Sequence, residues 1–237
     1  MVTPDDTGWR VAGQVQWLWA FATPTTTVYR IQPGCGFAEA AAVLGVDFAG
    51  VLERDGWAPY RRCVHAAHHT CLAHLLRRCR QLAEDHPRAT GVREVQRLLQ
   101  QALAARDRYR ADGLSAHGLA VVRGQLIARL AACLGRPSRV PDVRPFHRHL
   151  LREFDAIWSF LFDPTVEATN WRAEHAIRPA VVTRKVCGGN RSWRGADTQQ
   201  ILARVLRTVQ QRQRNPHLVL AALLHARSPQ VATELTR

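Results

Sequence analysis

Residues 170–179 read Asn170-Trp171-Arg172-Ala173-Glu174-His175-Ala176-Ile177-Arg178-Pro179, and they set one acid in an otherwise basic stretch. Glu174 is the only carboxylate between Glu167 and Asp197, while Arg172, Arg178, Arg184, Lys185, Arg191 and Arg194 lie around it. Asn170 reads as an N-cap, whose side chain can accept from an orphan amide of the first turn. That places Glu174 early in a helix, with Arg178 one turn on along the same face. Pro179 is expected to end or kink the helix, because it lacks the amide hydrogen and its ring collides with the preceding turn. A carboxylate kept among so many cations points to a metal-holding group beside a polyanion.

Two earlier acidic points supply partners: Asp5-Asp6 in a Trp-rich strand region, and Asp55 in Arg54-Asp55-Gly56-Trp57. Asp5, Asp55 and Glu174 together would make a three-carboxylate site for two magnesium ions, with manganese as a substitute. Hard cations prefer oxygen ligands, and a metal pair can stabilise both the attacking and the leaving oxygen of a phosphodiester exchange. Each acid also has a plainer reading. Asp5 can be a solvated residue near a terminus, with Asp6 beside it as a substitute. Asp55 can be a turn residue before Gly56, and Glu174 a simple partner of Arg178.

Charge agrees with a polyanionic partner. The 237-residue chain carries a formal charge of +14, and all of its basic residues except Lys185 are arginines. Arginine suits bidentate phosphate contacts, although arginine bias also follows from a GC-rich genome. A hydrophobic fraction of 46% and seven tryptophans fit a chain that buries a substantial core. No apolar run is long enough to span a membrane, and no signal-peptide pattern follows Met1. The expected setting is therefore cytoplasmic and nucleoid-associated, with the six scattered cysteines as free or packing thiols.

Val15, Trp17, Trp19 and Phe21 alternate with Gln14, Gln16, Leu18 and Ala20, the period of a strand. Residues 27–31 form a second strand, residues 37–44 a short helix, and residues 48–52 a third strand ending just before Asp55. A mixed sheet could then carry Asp5 and Asp55 on neighbouring strands. From His65 to about Phe162 the pattern is helical. Val92, Val95, Leu98, Leu99 and Leu103 mark one face, and Phe146, Leu150, Leu151, Phe154, Ile157 and Trp158 another. Pro137, Pro141 and Pro145 punctuate a linker, residues 161–169 form a loop, and Gly188-Gly189 a turn. Ile201, Leu202, Val205, Leu206 and Val209 define a last amphipathic helix.

Four blocks carry a resemblance: Asp5-Asp6-Thr7-Gly8-Trp9-Arg10, Asp55-Gly56-Trp57-Ala58-Pro59-Tyr60, Cys71-Leu72-Ala73-His74-Leu75-Leu76-Arg77, and residues 170–179 continued by Arg184-Lys185-Val186-Cys187-Gly188-Gly189-Asn190-Arg191. They resemble, in order, the signature blocks of insertion sequence 66 family transposases. The resemblance implies an α/β fold: a ribonuclease-H-like mixed sheet with a large α-helical insertion and C-terminal helices. The implied divisions are residues 1–62 for the first part of the core, 63–165 for the insertion and 166–237 for the remainder. It implies Asp5, Asp55 and Glu174 as the catalytic, metal-binding triad of an enzyme that hydrolyses element ends and transfers the 3′-hydroxyl into target DNA. Its partners would be double-stranded DNA and, during reaction, further copies of the chain, with no membrane role.

Two positions depart from the family pattern. Asp6 stands where Glu is common, and Met1 lies only four residues before Asp5, where the family implies more of the first strand and upstream regions. A truncated, inactive DNA-binding remnant is the competing expectation, and a ribonuclease or resolvase a third. Arg172, Arg178, Arg184, Lys185, Arg191 and Arg194 are the candidate DNA contacts. Cys71 and His74 have half the spacing of a zinc site, with Cys63, His65, His68 and His69 nearby. On one amphipathic helix they read more readily as a buried thiol and a hydrogen-bonded imidazole than as zinc ligands. Trp9, Trp17, Trp19 and Trp57 read as core rather than as base platforms.

Overall fold

The structure is a computed structural model describing residues 1–136 and 138–225; Pro137 of the expected linker and the end of the expected C-terminal segment, residues 226–237, lie outside the described residues. The class is α/β, with five strands and nine α-helices among the described residues. The chain divides into two compact units, Met1–Phe48 with Trp171 onward, and Ala49–Asn170.

The first unit holds β1 (Thr3–Val11), β2 (Gln14–Ala22) and β3 (Thr27–Gln32) in one antiparallel sheet with β2 in the middle. The alternation along β2 identifies the strand, yet from Leu18 to Ala22 both of its faces are buried. Leu18, Ala20 and Ala22 join Trp9, Val11, Tyr29 and Ile31 in a core closed by Ala176, Ile177 and Ala196. Trp19 and Phe21 stack on the other face, 5.6 Å apart, and the Trp19 indole donates to the Gly34 carbonyl. Trp9 and Trp19 are thus packing residues, as expected. Helix α1 (Phe37–Leu44) follows, as read from the sequence.

Two long helices complete this unit: α7 (Trp171–Cys187) and α8 (Trp193–Gln211), after which α9 runs from Pro216 to His225. Of the two outcomes expected at Pro179, an end or a kink, the first does not occur: α7 runs on through it. Pro179 is exposed, so the carbonyl it deprives of a partner lies on the solvent side. The helix ends instead at Gly188 (φ 72°) and Gly189 (φ 126°), two left-handed positions. Gly189 also passes so close to β1 that a Cβ there would lie 2.3 Å from the Arg10 carbonyl oxygen. Asn190 then bridges β1, its amide donating to Arg10 and its carbonyl accepting from Ala12.

The apolar face expected on α8 is only partly used. Ala196, Gln200 and Val209 are buried, whereas Ile201 and Leu202 are exposed. The reason is polar: α8 covers the outer edge of β3. Ile31 N–H donates to Gln200 Oε1 and Thr27 N–H to Thr208 Oγ1, so edge amides find side-chain acceptors.

The second unit is built on β4 (Val51–Arg54) and β5 (Ala67–Thr70), a parallel pair joined through a 3-10 turn at Ala58–Arg62. Strand β5 corrects the expectation of continuous helix from His65. β4 pairs with β5 and β1 with β2, so Asp5 and Asp55 do not come from hydrogen-bonded neighbours of one sheet. Helices α2 (Leu72–Asp85), α3 (Thr90–Arg110) and α4 (Ala116–Leu134) pack in sequence, with Val92, Val95, Leu98 and Leu99 buried. The next apolar stripe is not one helix. It divides into α5 (Arg144–Arg152) and α6 (Phe154–Phe162) at Glu153, which is buried.

Candidate functional site

Register decides which acid of Asp5-Asp6 meets α7. Residues paired directly across an antiparallel ladder share a face, and successive residues alternate faces. Asp5 pairs with Ala20 and Thr7 with Leu18, so Asp5 lies on the face that packs α7, together with Trp9 and Val11. Asp6 pairs with Trp19 on the opposite face, where its charge, after burial, helps to raise the Cys35 thiol. Asp6 is therefore not interchangeable with Asp5.

Small residues bring α7 close to this strand. Ala173 and Ala176 of α7 are fully buried, as are Ala20 and Ala22 of β2, and the Tyr29 hydroxyl donates to the Ala176 carbonyl. Burial pushes the Tyr29 hydroxyl up to about 12, so it stays a neutral donor near pH 7. The result is a cavity of about 580 Å³ lined by Asp5, Trp171, Glu174, His175, Ile177, Arg178 and Val181. Two of the three expected acids and one expected arginine thus face one space. Trp171 and His175 line it too, and sequence reasoning missed both. An aromatic at the first helical position beside an acid-bearing turn was the available signal.

The cations around this cavity differ in use. Arg178, Lys185, Arg191 and Arg194 are exposed. Arg172 lies over the Trp171 ring at 4.8 Å. Arg184 turns inward instead: its Nη1 donates to Thr7 Oγ1 at 2.8 Å and also to the Gly8 carbonyl, so it ties α7 to β1. Below it the Trp9 indole donates to Asn190 Oδ1 at 2.7 Å. The basic segment after α7 is therefore fastened to the strand that carries Asp5.

In the second unit Asp55 follows β4 directly, as expected. Its Oδ1 accepts from the Trp57 amide at 2.9 Å, which orients the carboxylate within the turn. It lines a cavity of about 330 Å³ with His74, Leu75, Arg78, Pro145, Phe146 and His149. His74 of the Cys71-x-x-His74 pair thus faces the Asp55 cavity. Cys71 does not share its helix, as expected of an amphipathic segment, but caps it. The thiol donates to Asn170 Oδ1 and accepts from the Asn170 amide, and burial pushes it up to about 11. His68 and His69 lie on β5, bonded to Cys63 O and Ser159 Oγ respectively.

The residue that sequence reasoning overlooked is Glu153. It accepts from Arg54 at 2.6 Å, Arg61 at 3.2 Å and Thr70 at 2.9 Å, wholly out of water. Burial alone would raise its carboxyl, but the hydrogen bond and charge of Arg54, with Thr70 and His149, hold it below the usual carboxylate range. Its signal was an acid three residues after Leu150 and four before Ile157, at helical spacing on their apolar stripe, whereas the nearby Asp155 is exposed. Among the described residues no group of three or more His, Cys, Asp or Glu side chains is gathered closely enough to hold a metal, and no helix is long and apolar enough to cross a membrane.

Comparison with known proteins places the chain among transposases. The profile described as "Transposase IS66 family" matches residues 1–198, and the chain belongs to that family. It is also 28% identical over 210 residues to the uncharacterized protein y4qI of Sinorhizobium fredii (strain NBRC 101917 / NGR234), covering 75% of this chain and 38% of that relative. The chain thus spans well under half the length of this relative. No solved structure matches it.

Proposed function

We propose that this chain cuts and joins DNA strands as the catalytic part of a transposase, using Asp5, Asp55 and Glu174 as metal-binding carboxylates. The observation that carries the reading is the Asp5–Glu174 cavity beside Arg178, in a chain of this family. Three antiparallel strands with α7 and α8 packed on one face support a ribonuclease-H-like core. Asp5 and Glu174 fit magnesium, which takes oxygen ligands and is held by one or two carboxylates plus waters and substrate phosphate oxygens. When bound, magnesium or manganese would neutralise charge developing on the phosphate and activate water or a 3′-hydroxyl. Asp5 and Glu174 would supply ligand oxygens from a strand and a helix braced against each other, and Asp55 the third carboxylate.

Arg172, Arg178, Lys185, Arg191 and Arg194 would hold the phosphate backbone, and Arg184 would keep β1 in place beneath them. Each lost phosphate contact should reduce the slope of log affinity against log salt by about 0.9. The substrates would be element ends and target duplex, with copies of the chain assembling on paired ends.

The test uses duplex DNA carrying element ends, with magnesium or manganese. Asp5→Asn, Asp55→Asn and Glu174→Gln should each abolish nicking and strand transfer while leaving salt-sensitive DNA binding in place. Full cleavage by Glu174→Gln would sink the assignment. An unmutated chain that binds DNA but never cuts it would establish the inactive remnant instead. Cleavage of RNA–DNA hybrids or branched DNA without transfer would establish a nuclease or resolvase.

A further inference from the structure

Asp55 stands between two residues that are both held by one corner of the fold. On its N-terminal side Arg54 is 3% exposed, its Nη2 lies 2.6 Å from Glu153 Oε2, and its Nε donates to His68 Nδ1 at 3.1 Å. On its C-terminal side Gly56 has φ 92°, and a Cβ there would lie 2.6 Å from His149 Cε1. The His149 ring therefore backs the turn directly. His149 and Glu153 belong to one helical turn, since the Glu153 amide donates to the His149 carbonyl at 3.0 Å. The Glu153 carbonyl then accepts from Ile157, so the same residue ends α5 and begins α6. Glu153 also receives Arg61 and Thr70, which joins β4, β5 and the 3-10 turn at one carboxylate.

A buried ion pair is weak evidence for stability, because an apolar substitute of similar volume is often as good. What an apolar residue cannot supply is direction. Two guanidinium groups and a hydroxyl on one carboxylate fix the path of Arg54 and hence of the peptide that follows. We infer that the α5–α6 corner is a positioning device for Asp55: Glu153 anchors the strand end before it and His149 braces the turn after it. The helical segment thus serves the carboxylate that follows β4 and is more than a spacer before α7. This rests on the reading of Asp55 as a metal-binding carboxylate.

The experiment titrates manganese into the full chain by calorimetry and measures the metal dependence of strand cleavage beside it. Partners that orient metal ligands typically contribute about 10–100-fold in affinity. Glu153→Gln should weaken manganese binding by about that factor and raise the manganese concentration needed for cleavage equally, with metal-free DNA binding unchanged. His149→Ala should show the same signature more weakly, and Glu153→Asp should recover part of the loss. Leu151→Ala, on an exposed side chain of the same helix, should change neither. If Glu153→Gln does not fold, His149→Ala decides. Should both corner variants keep manganese affinity within about twofold while Asp55→Asn loses it, the positioning role is wrong. Should Asp55→Asn itself bind and cleave normally, the functional reading fails instead, and the corner inference with it.

Discussion

The two units hold their acids by opposite means. In the first, Asp5 and Glu174 are set by hydrophobic packing: alanines on β2 and α7 let helix and strand approach, and the acids emerge at the rim of that contact. In the second, Asp55 is set by buried charge: Glu153, Arg54, Arg61 and Thr70 form a polar knot behind it. Packing answers to volume and is insensitive to pH, whereas a charge knot is directional and titrates. The same task, presenting a carboxylate, therefore carries different vulnerabilities in the two halves of one chain.

That contrast can be broken most strongly at the acids themselves. Asp5→Asn, Asp55→Asn or Glu174→Gln should each cost several kcal/mol of transition-state stabilisation, or about a thousandfold in strand cleavage at 1.36 kcal/mol per decade. Glu153→Ala comes next. It strands two buried or half-buried cations, and removing one partner of a buried pair costs about 3–5 kcal/mol. Urea denaturation should show that loss, and a midpoint shift under about 1 kcal/mol would mean that the knot holds nothing.

Acid should sharpen the difference. His69 is buried beside Ser159, and burial pulls it down to about 4, below its unfolded value. Between that unfolded value, near 6.5, and the folded one, the unfolded chain binds a proton that the folded chain does not. Stability is therefore complete above pH 6.5 or so and falls by about 1.4 kcal/mol per pH unit down to about 4. The Glu153 carboxyl, held low, extends the loss below the ordinary carboxylate range, because its stabilisation is complete above its unfolded pKa and is lost as pH falls from there through the folded one. Urea midpoints measured from pH 7 to pH 3 should fall, and His69→Gln should flatten the upper part of the curve.

The packing half should answer to volume instead. Ala176→Leu overfills the contact between α7 and the sheet and should cost about 1–3 kcal/mol, with weaker manganese binding because Glu174 shifts with the helix. The smallest effect should come from the cap of α8. Ser192 Oγ accepts from the Gly195 amide, and Ser192→Ala should cost about 1 kcal/mol in thermal unfolding without touching metal binding.

How legible all this was depended on whether a residue's role followed from its own neighbours in sequence. Strand β2 and helix α1 were readable because apolar residues repeat at the period of the element. β5 was not, because Ala67-His68-His69-Thr70 has no apolar alternation and its histidines are held by Cys63 and Ser159. The α5–α6 break was hidden because Glu153 continues a helical spacing, while its buried partners Arg54, Arg61 and Thr70 are far away in sequence. Pro179 did not end α7, because a missing amide hydrogen and one displaced carbonyl cost less on an exposed turn, where water can replace the lost bond. Ile201 and Leu202 misled because an apolar period shows where a helix could pack, while α8 was drawn to β3 by Gln200 and Thr208. Asp55 and Glu174 were legible as candidates from charge isolation and from the family blocks. Asp5 was read from its family block with Asp6 as a possible substitute, and only the ladder register sets the two on opposite faces.

That register has a consequence for folding fidelity. Two acids stand side by side on β1, so a slip of one residue would still deliver a carboxylate, from Asp6, to the α7 face. Such a molecule would look chemically complete while holding its acid on a displaced strand. The same slip would turn Trp9 and Val11 out of the core, at about 1.5–3 kcal/mol for a side chain of valine size and more for tryptophan. It would also take the Trp9 indole away from Asn190. The tryptophan thus proofreads the strand: the hydrophobic end of β1 rejects an error that its acidic end would accept.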